Sequence, residues 1–197
     1  MKIAVFVSGR GTNLQAILDA GLPVDVVVCN VPDAPALERA RRAGVDTLLR
    51  PDRGSRAERD QWVLDRLLER GVGLLALAGY DRVLADCLLQ AFPHRIVNTH
   101  PSLLPAFAGG MDPAPLQQAL DYGVKVSGCT IHLVTPDVDH GPVLAQACVP
   151  VLPEDTLETL GERIRAEEHR LFPQVLRWFV EGQVQVDGRQ VRVAAAE

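Results

Sequence analysis

The sequence predicts an α/β fold whose N-terminal half is a doubly wound, mostly parallel sheet and whose C-terminal half adds an antiparallel hairpin and a long helix. Ile3 to Val7, Val24 to Cys29 and Val72 to Gly79 are nearly unbroken apolar runs, as expected of strands covered on both faces. Strand-like and helical stretches alternate from Met1 as far as Asn98. Beyond that point Val124 to Val134, in its later half, and Val143 to Val149 alternate polar with apolar residues, which suits a hairpin with one solvated face. Together these describe a Rossmann-like first half continued by different architecture.

The first strand runs into Ser8-Gly9-Arg10-Gly11-Thr12-Asn13, and Leu14, Ile17 and Leu18 then recur at helical spacing. Glycines let a ligand approach the backbone, and free amides at a helix N-terminus favour an anion, most simply a phosphate. The plainer reading is a tight turn with Thr12 or Asn13 as N-cap. A dinucleotide fits less well. Leu14 occupies the third glycine position of Gly-x-Gly-x-x-Gly, and the second strand ends at Cys29-Asn30 without an acid placed to read a ribose. Ala36 to Ala43, closed by Gly44, forms the second helix, and Val45 to Leu49 the third strand. After the loop Pro51-Asp52-Arg53-Gly54-Ser55, Ser55 and Glu58 have capping-box spacing and open a helix ending near Arg70, with Arg56 in its first turn. The fourth strand delivers Tyr80-Asp81-Arg82-Val83-Leu84 to the carboxyl edge of the sheet, where open α/β folds bind ligands. A helix around Ala85 to Ala91 leads to the next strand.

That strand, Ile96 to Asn98, ends in Asn98-Thr99-His100-Pro101-Ser102-Leu103-Leu104-Pro105. In an extended chain Asn98 and His100 share a face, and Pro101 with Pro105 and Ser102 fixes the exit. An imidazole able to move a proton near neutral pH, beside an amide able to donate to an oxyanion, is a minimal kit for acyl transfer. The competing reading is an Asn capping a turn and a His satisfied by backbone. Ala106 to Pro115 is a Gly- and Pro-rich loop, Leu116 to Asp121 a short helix, and Thr135 to Pro142 the long hairpin loop that presents Asp139 and His140. His132 is expected as a strand residue near the site, with packing favoured over a direct role. Glu154 to Glu181 is helical in pattern, with Pro173 expected to kink or break it, and Val184 to Val186 with Val191 to Val193 suggests a terminal hairpin about Asp187-Gly188.

Composition narrows the function classes. At 197 residues and 47% apolar content the chain suits a single domain, 1–197. A net charge of -5 with scattered basic residues speaks against a nucleic-acid surface. Cys29, Cys87, Cys129 and Cys148 are too widely spaced for a zinc site or a disulfide frame and read as reduced core residues. No segment suits a membrane span or a signal peptide, and a cytoplasmic protein is expected.

In combination, Ser8 to Asn13, Leu77-Ala78-Gly79-Tyr80-Asp81-Arg82-Val83-Leu84, Asn98 to Pro105 and Val138-Asp139-His140-Gly141-Pro142 resemble the glycinamide ribonucleotide transformylase family of folate-dependent formyltransferases, in order and spacing, over nearly the whole chain. The resemblance implies transfer of the formyl group of 10-formyltetrahydrofolate, as co-substrate, to the amine of 5'-phosphoribosylglycinamide in purine synthesis, without a metal. It implies that Gly11, Thr12 and Asn13 cradle the phosphate and that Glu168 meets the sugar or glycinamide. Folate would meet Arg56, the stretch from Asp81 through Arg82 and Val83 to Leu84, and Asn98. Asn98, His100 and Asp139 would be catalytic, with Asp139 favouring the imidazolium of His100. The implied partners are small molecules, with neither nucleic acid nor membrane, and the protein would be a monomer or homodimer. Three positions depart from the family pattern: Asp81 for an apolar residue, Leu116 for a histidine and His140 for a glycine.

Other readings share the core. Methionyl-tRNA formyltransferases and formyltetrahydrofolate deformylases carry an added domain, so the length of this chain sets an expectation against them. A sugar-amine formyltransferase is disfavoured by Gly11-Thr12-Asn13, and a binding protein that has lost turnover is disfavoured by the intact Asn98, His100 and Asp139.

Overall fold

The computed structural model describes residues 1–51 and 54–194; the Asp52-Arg53 part of the expected loop lies outside them. A seven-stranded sheet has the order β3-β2-β1-β4-β5-β6-β7. Its strands are β1 (Lys2–Val7), β2 (Val24–Cys29), β3 (Asp46–Leu49), β4 (Val72–Leu77), β5 (Ile96–His100), β6 (Val126–Leu133) and β7 (Val143–Pro150). β1 to β5 pair in parallel, and β6 and β7 are antiparallel additions. The chain winds outward from β1 in one direction and from β4 in the other, which opens a crevice at the carboxyl ends of these two strands.

Strand alternation sorts the core into two layers. Ile3, Val5 and Val7 pack with Leu14 and Ile17 of α1 (Thr12–Asp19), Ala36 and Ala40 of α2 (Pro35–Arg42), and Ile164, Phe172 and Val175 of α6 (Leu157–Val180). Ala4 and Phe6 pack on the other face with Val63 and Leu67 of α3 (Arg56–Glu69) and Leu88 of α4 (Asp86–Ala91). The continuous apolar run of β1 thus serves two cores. α5 (Ala114–Tyr122) precedes β6, and β8 (Val184–Asp187) pairs with β9 (Gln190–Val193) as the expected terminal hairpin.

The expected capping box is present, with Ser55 Oγ accepting from the Glu58 amide and Glu58 accepting from the Ser55 amide. Pro173 does not break the helix, because α6 continues through it from Leu157 to Val180. Leu160 and Ile164 before the proline, and Phe172, Val175 and Leu176 after it, are buried in one core, and that shared burial holds the two halves in a single helix. Cys29 and Cys129 are buried free thiols, and burial pushes Cys129 up to about 12, whereas Cys148 is exposed on β7 and is not a core residue.

The β6–β7 pair also requires a glycine. A Cβ on Gly128 would fall into the Ala147 carbonyl and within 2.9 Å of Leu103 Cδ2, so the expected effect of Gly128→Ala is destabilisation by about 2 kcal/mol or more. A urea midpoint equal to that of the parent would contradict this packing.

Candidate active site

A cleft of about 550 Å³ runs along the carboxyl edge of the sheet, from the Gly9–Asn13 loop, past Asp81 to Leu84, to Asn98, His100 and Asp139. One wall is the α1 N-terminus. Gly11 holds φ 70° as the N-cap, without a side-chain cap, so neither Thr12 nor Asn13 fills that role. A Cβ there would lie 2.6 Å from Ala36 Cβ, and glycine therefore meets both a backbone and a packing requirement. Arg10 and Arg165 line the cleft, as do the acidic Asp112 and Glu168.

Asn13 Nδ2 donates to Glu168 Oε2 at 3.1 Å, and Thr99 Oγ1 donates to Glu168 Oε1 at 3.0 Å. Burial raises the Glu168 carboxyl above its ordinary range, against the two hydrogen bonds that favour the carboxylate. A buried, partly compensated acid at a cleft wall is suited to receive a cationic or hydrogen-bond-donating group. Thr99 itself was not singled out by the sequence, since its partner is 69 positions away.

At the other end β5 runs through His100, and Asn98 and His100 both line the cleft as the alternation required. The antiparallel register sets Asn98 opposite His132 and His100 opposite Thr130. Asp139 lies between the two imidazoles, with Oδ2 3.4 Å from His100 Nδ1 and Oδ1 3.6 Å from His132 Nε2. It also accepts from the Gly109 amide at 2.9 Å. The second nitrogen of His100, Nε2, is 3.1 Å from the Phe107 carbonyl. A carbonyl can only accept, so Nε2 is the donor toward Phe107, while Nδ1 faces the Asp139 carboxylate at ion-pair distance.

His132, expected near the site in a packing role, lines the cleft and bonds to Asn98. Its Nδ1 lies 3.0 Å from the Leu133 carbonyl and must donate there. Burial pushes the imidazole below its ordinary value, which favours the neutral ring. Nε2 is then an acceptor, and Asn98 Nδ2 donates to it at 3.1 Å. The orientation of the Asn98 amide follows from this bond, and one amide hydrogen remains for a ligand. The signal in the sequence was the polar pair Thr130 and His132, two apart and alternating with apolar Cys129, Ile131 and Leu133, but its meaning depended on the pairing with β5.

The remaining expected residues divide. Arg82, Val83 and Leu84 line the cleft, and Leu84 is buried while Val83 is exposed. The Asp81 carboxylate is engaged by Ser8 Oγ at 2.7 Å, Asn30 Nδ2 at 2.8 Å and Arg82, so it braces the glycine loop against the loop after β4. Arg56 is exposed at the first position of α3 and is not among the lining residues, because the capping turn sets its side chain on the outer surface. Leu116 is a buried wall residue. His140 is exposed outside the cleft, with Nδ1 donating to the Val138 carbonyl at 2.6 Å.

Glu168→Gln isolates the burial effect. The raised carboxyl favours folding fully below the ordinary glutamate value and loses that contribution as pH rises through its own higher value. Glutamine can accept from Asn13 Nδ2 through its one oxygen and donate its amide to Thr99 Oγ1, reversing the second bond, without the charge. The variant is expected to melt about 2–4 °C above the parent at pH 7, the scale of about 1 kcal/mol in a chain of this size, and the increment should vanish toward pH 4. Calorimetry across that range checks it, and an equal increment at both ends would contradict the assignment.

Comparison with known proteins agrees with the geometry. Residues 1–176 match the family model described as formyl transferase. A phosphoribosylglycinamide formyltransferase of Haemophilus influenzae is 39% identical over 193 residues, covering 94% of this chain and 90% of that protein. The human trifunctional purine biosynthetic protein adenosine-3 is 38% identical over 94% of this chain, which spans 19% of that longer protein. The crystal structure of glycinamide ribonucleotide transformylase 1 from Symbiobacterium toebii is 50% identical and superposes with a TM-score of 0.94, covering 99% of this chain and 94% of that one. With its strand order, its glycine loop and its Asn-x-His-Pro-Ser turn accounted for, the chain belongs to the formyl transferase family.

Proposed function

We propose that this protein transfers the formyl group of 10-formyltetrahydrofolate to the amine of 5'-phosphoribosylglycinamide, without a resident metal. The observation that carries this reading is the convergence of Asn98, His100 and Asp139 at one end of a cleft whose other end is a glycine-capped helix N-terminus. The phosphate would sit on the first-turn amides of Gly11, Thr12 and Asn13, with Arg10 and Arg165 adding positive charge. Glu168 would receive the glycinamide portion, and the loop Asp81 to Leu84 the heterocycle of the folate. Arg56 enters this reading only as an exposed cation at the start of α3. The substrates are small molecules, and the reading gives the chain a cytoplasmic place and a monomeric or homodimeric state.

In the reaction the amine nitrogen attacks the formyl carbon, and negative charge develops on the formyl oxygen. The free amide hydrogen of Asn98 would donate to that oxygen, and the His100 imidazolium, held by Asp139, would lie beside the same charge. Collapse of the tetrahedral intermediate breaks the bond from carbon to the folate nitrogen, which must take up a proton while the attacking nitrogen loses one. His100 Nε2 carries a proton toward the Phe107 carbonyl, and exchanging that carbonyl for a substrate atom would make the proton available to the leaving nitrogen.

A formyl-transfer assay with both substrates tests the reading. Turnover is expected with phosphoribosylglycinamide, and folate binding without turnover would instead support a binding protein. His100→Ala should lower kcat by about 100-fold or more and Asp139→Asn by about tenfold or more, with melting temperatures near that of the parent. His132→Phe, which leaves the Asn98 amide unheld, should lower kcat by about tenfold with little change in either KM. Unchanged kcat in the Asp139 variant would remove that carboxylate from the mechanism.

A further inference from the structure

Beneath the loop that faces the cleft lies a pair of charges that packing alone does not require. Arg59 and Asp60, on the first turns of α3, are 5% and 1% exposed. Arg59 Nε donates to Asp60 Oδ1 at 2.6 Å. Each partner then reaches the loop after β4: Arg59 Nη2 donates to the Val83 carbonyl at 2.9 Å, and Asp60 Oδ2 accepts from the Ala85 amide at 2.6 Å. These two backbone groups flank Leu84, whose own amide and carbonyl are engaged by no backbone or side-chain hydrogen bond among the described residues. Two charges buried against an apolar face are costly unless their hydrogen bonds are all satisfied, and helix-on-sheet packing could be had from apolar residues of similar size. Val63, Leu64 and Leu67 of the same helix already supply that packing.

We propose that Arg59 and Asp60 are positioning residues for the heterocycle of the formyl donor. By holding the Val83 carbonyl and the Ala85 amide from below, they fix the peptide plane on either side of Leu84 and present the remaining Leu84 amide and carbonyl at the cleft wall. A flat heteroaromatic ring with alternating donors and acceptors is the ligand chemistry that such a fixed amide and carbonyl edge suits. Neither residue lines the cleft, and the hydrogen bonds described here lead to the loop after β4, so the influence proposed for the pair is on one substrate. This inference rests on the folate reading given above.

Two variants test it. Arg59→Lys keeps the charge beside Asp60 but not the planar fork that serves Asp60 and Val83 together. Arg59→Met combined with Asp60→Leu removes both charges while keeping volume, a change that buried pairs tolerate. In both, KM for 10-formyltetrahydrofolate is expected to rise about tenfold. KM for phosphoribosylglycinamide should stay within about twofold of the parent, as should kcat at saturating folate. An unchanged folate KM in the folded double variant would overturn the proposal, as would parallel rises in both KM values, since a merely structural role would move both. Titration of the unaltered chain with a folate analogue separates the two levels. No binding there overturns the folate reading together with this inference, whereas binding by the parent with unaltered binding by the variants overturns the clamp alone.

Discussion

Asn98 meets His132, and His100 meets Thr130, only because β6 runs antiparallel to β5 in one particular register. Side chains alternate with a period of two, so a slip of one residue would turn His132 away from Asn98 and put Ile131 or Leu133 in its place. The register is held from both sides. Thr130 Oγ1 donates to the Ser102 carbonyl and accepts from the Leu104 amide, tying β6 to the turn that follows His100. β7 covers the other edge of β6, and its close approach at Gly128 leaves no room for a side chain. The antiparallel extension thus does chemical as well as structural duty, since it supplies the imidazole that orients the amide.

Around His100 the backbone adopts conformations that side chains ordinarily resist. Phe107 and Asp139, with φ of 56° and 57°, are two of the three non-glycine residues at positive φ among those described. One supplies the carbonyl at Nε2 and the other the carboxylate at Nδ1. Left-handed backbone at a bulky residue costs about 1 kcal/mol or more and persists where surrounding contacts over-determine it. Here both instances deliver an acceptor to the same ring. The ring is enclosed at 3% exposure, which keeps its two acceptors from being replaced by bulk water.

The opposite end of the cleft is arranged differently. Its features are the capping backbone of Gly11 and the lining side chains of Arg10 and Arg165, and the phosphate role proposed for it makes few demands on local side-chain geometry. Glu168 is the exception, a carboxyl buried on α6 and raised by that burial, held by one residue from the glycine loop and one from β5. It joins the two ends of the cleft, at some loss of stability in the unliganded protein. Arg59 and Asp60 play the corresponding part beneath the loop after β4, where burial of charge fixes backbone.

Apolar runs and helical spacing were enough to read the order of strands and helices, the Ser55–Glu58 capping box, the hairpins and the glycine loop, because each depends on residues near one another in the chain. The side-by-side display of Asn98 and His100 was equally local, a consequence of strand geometry. The roles of His132 and Thr99 were not legible, since each depends on a partner that only sheet pairing or helix docking brings close. For a related reason Pro173 does not end the helix, because its local preference is outweighed by the core that both halves of α6 share. Arg56 illustrates the converse, a residue whose expected place came from resemblance while the capped first turn set it on the surface. Sequence determined which chemistry was available, and the tertiary structure decided which groups share it, because hydrogen bonds and charge pairs act over a few ångströms of space and not along the chain.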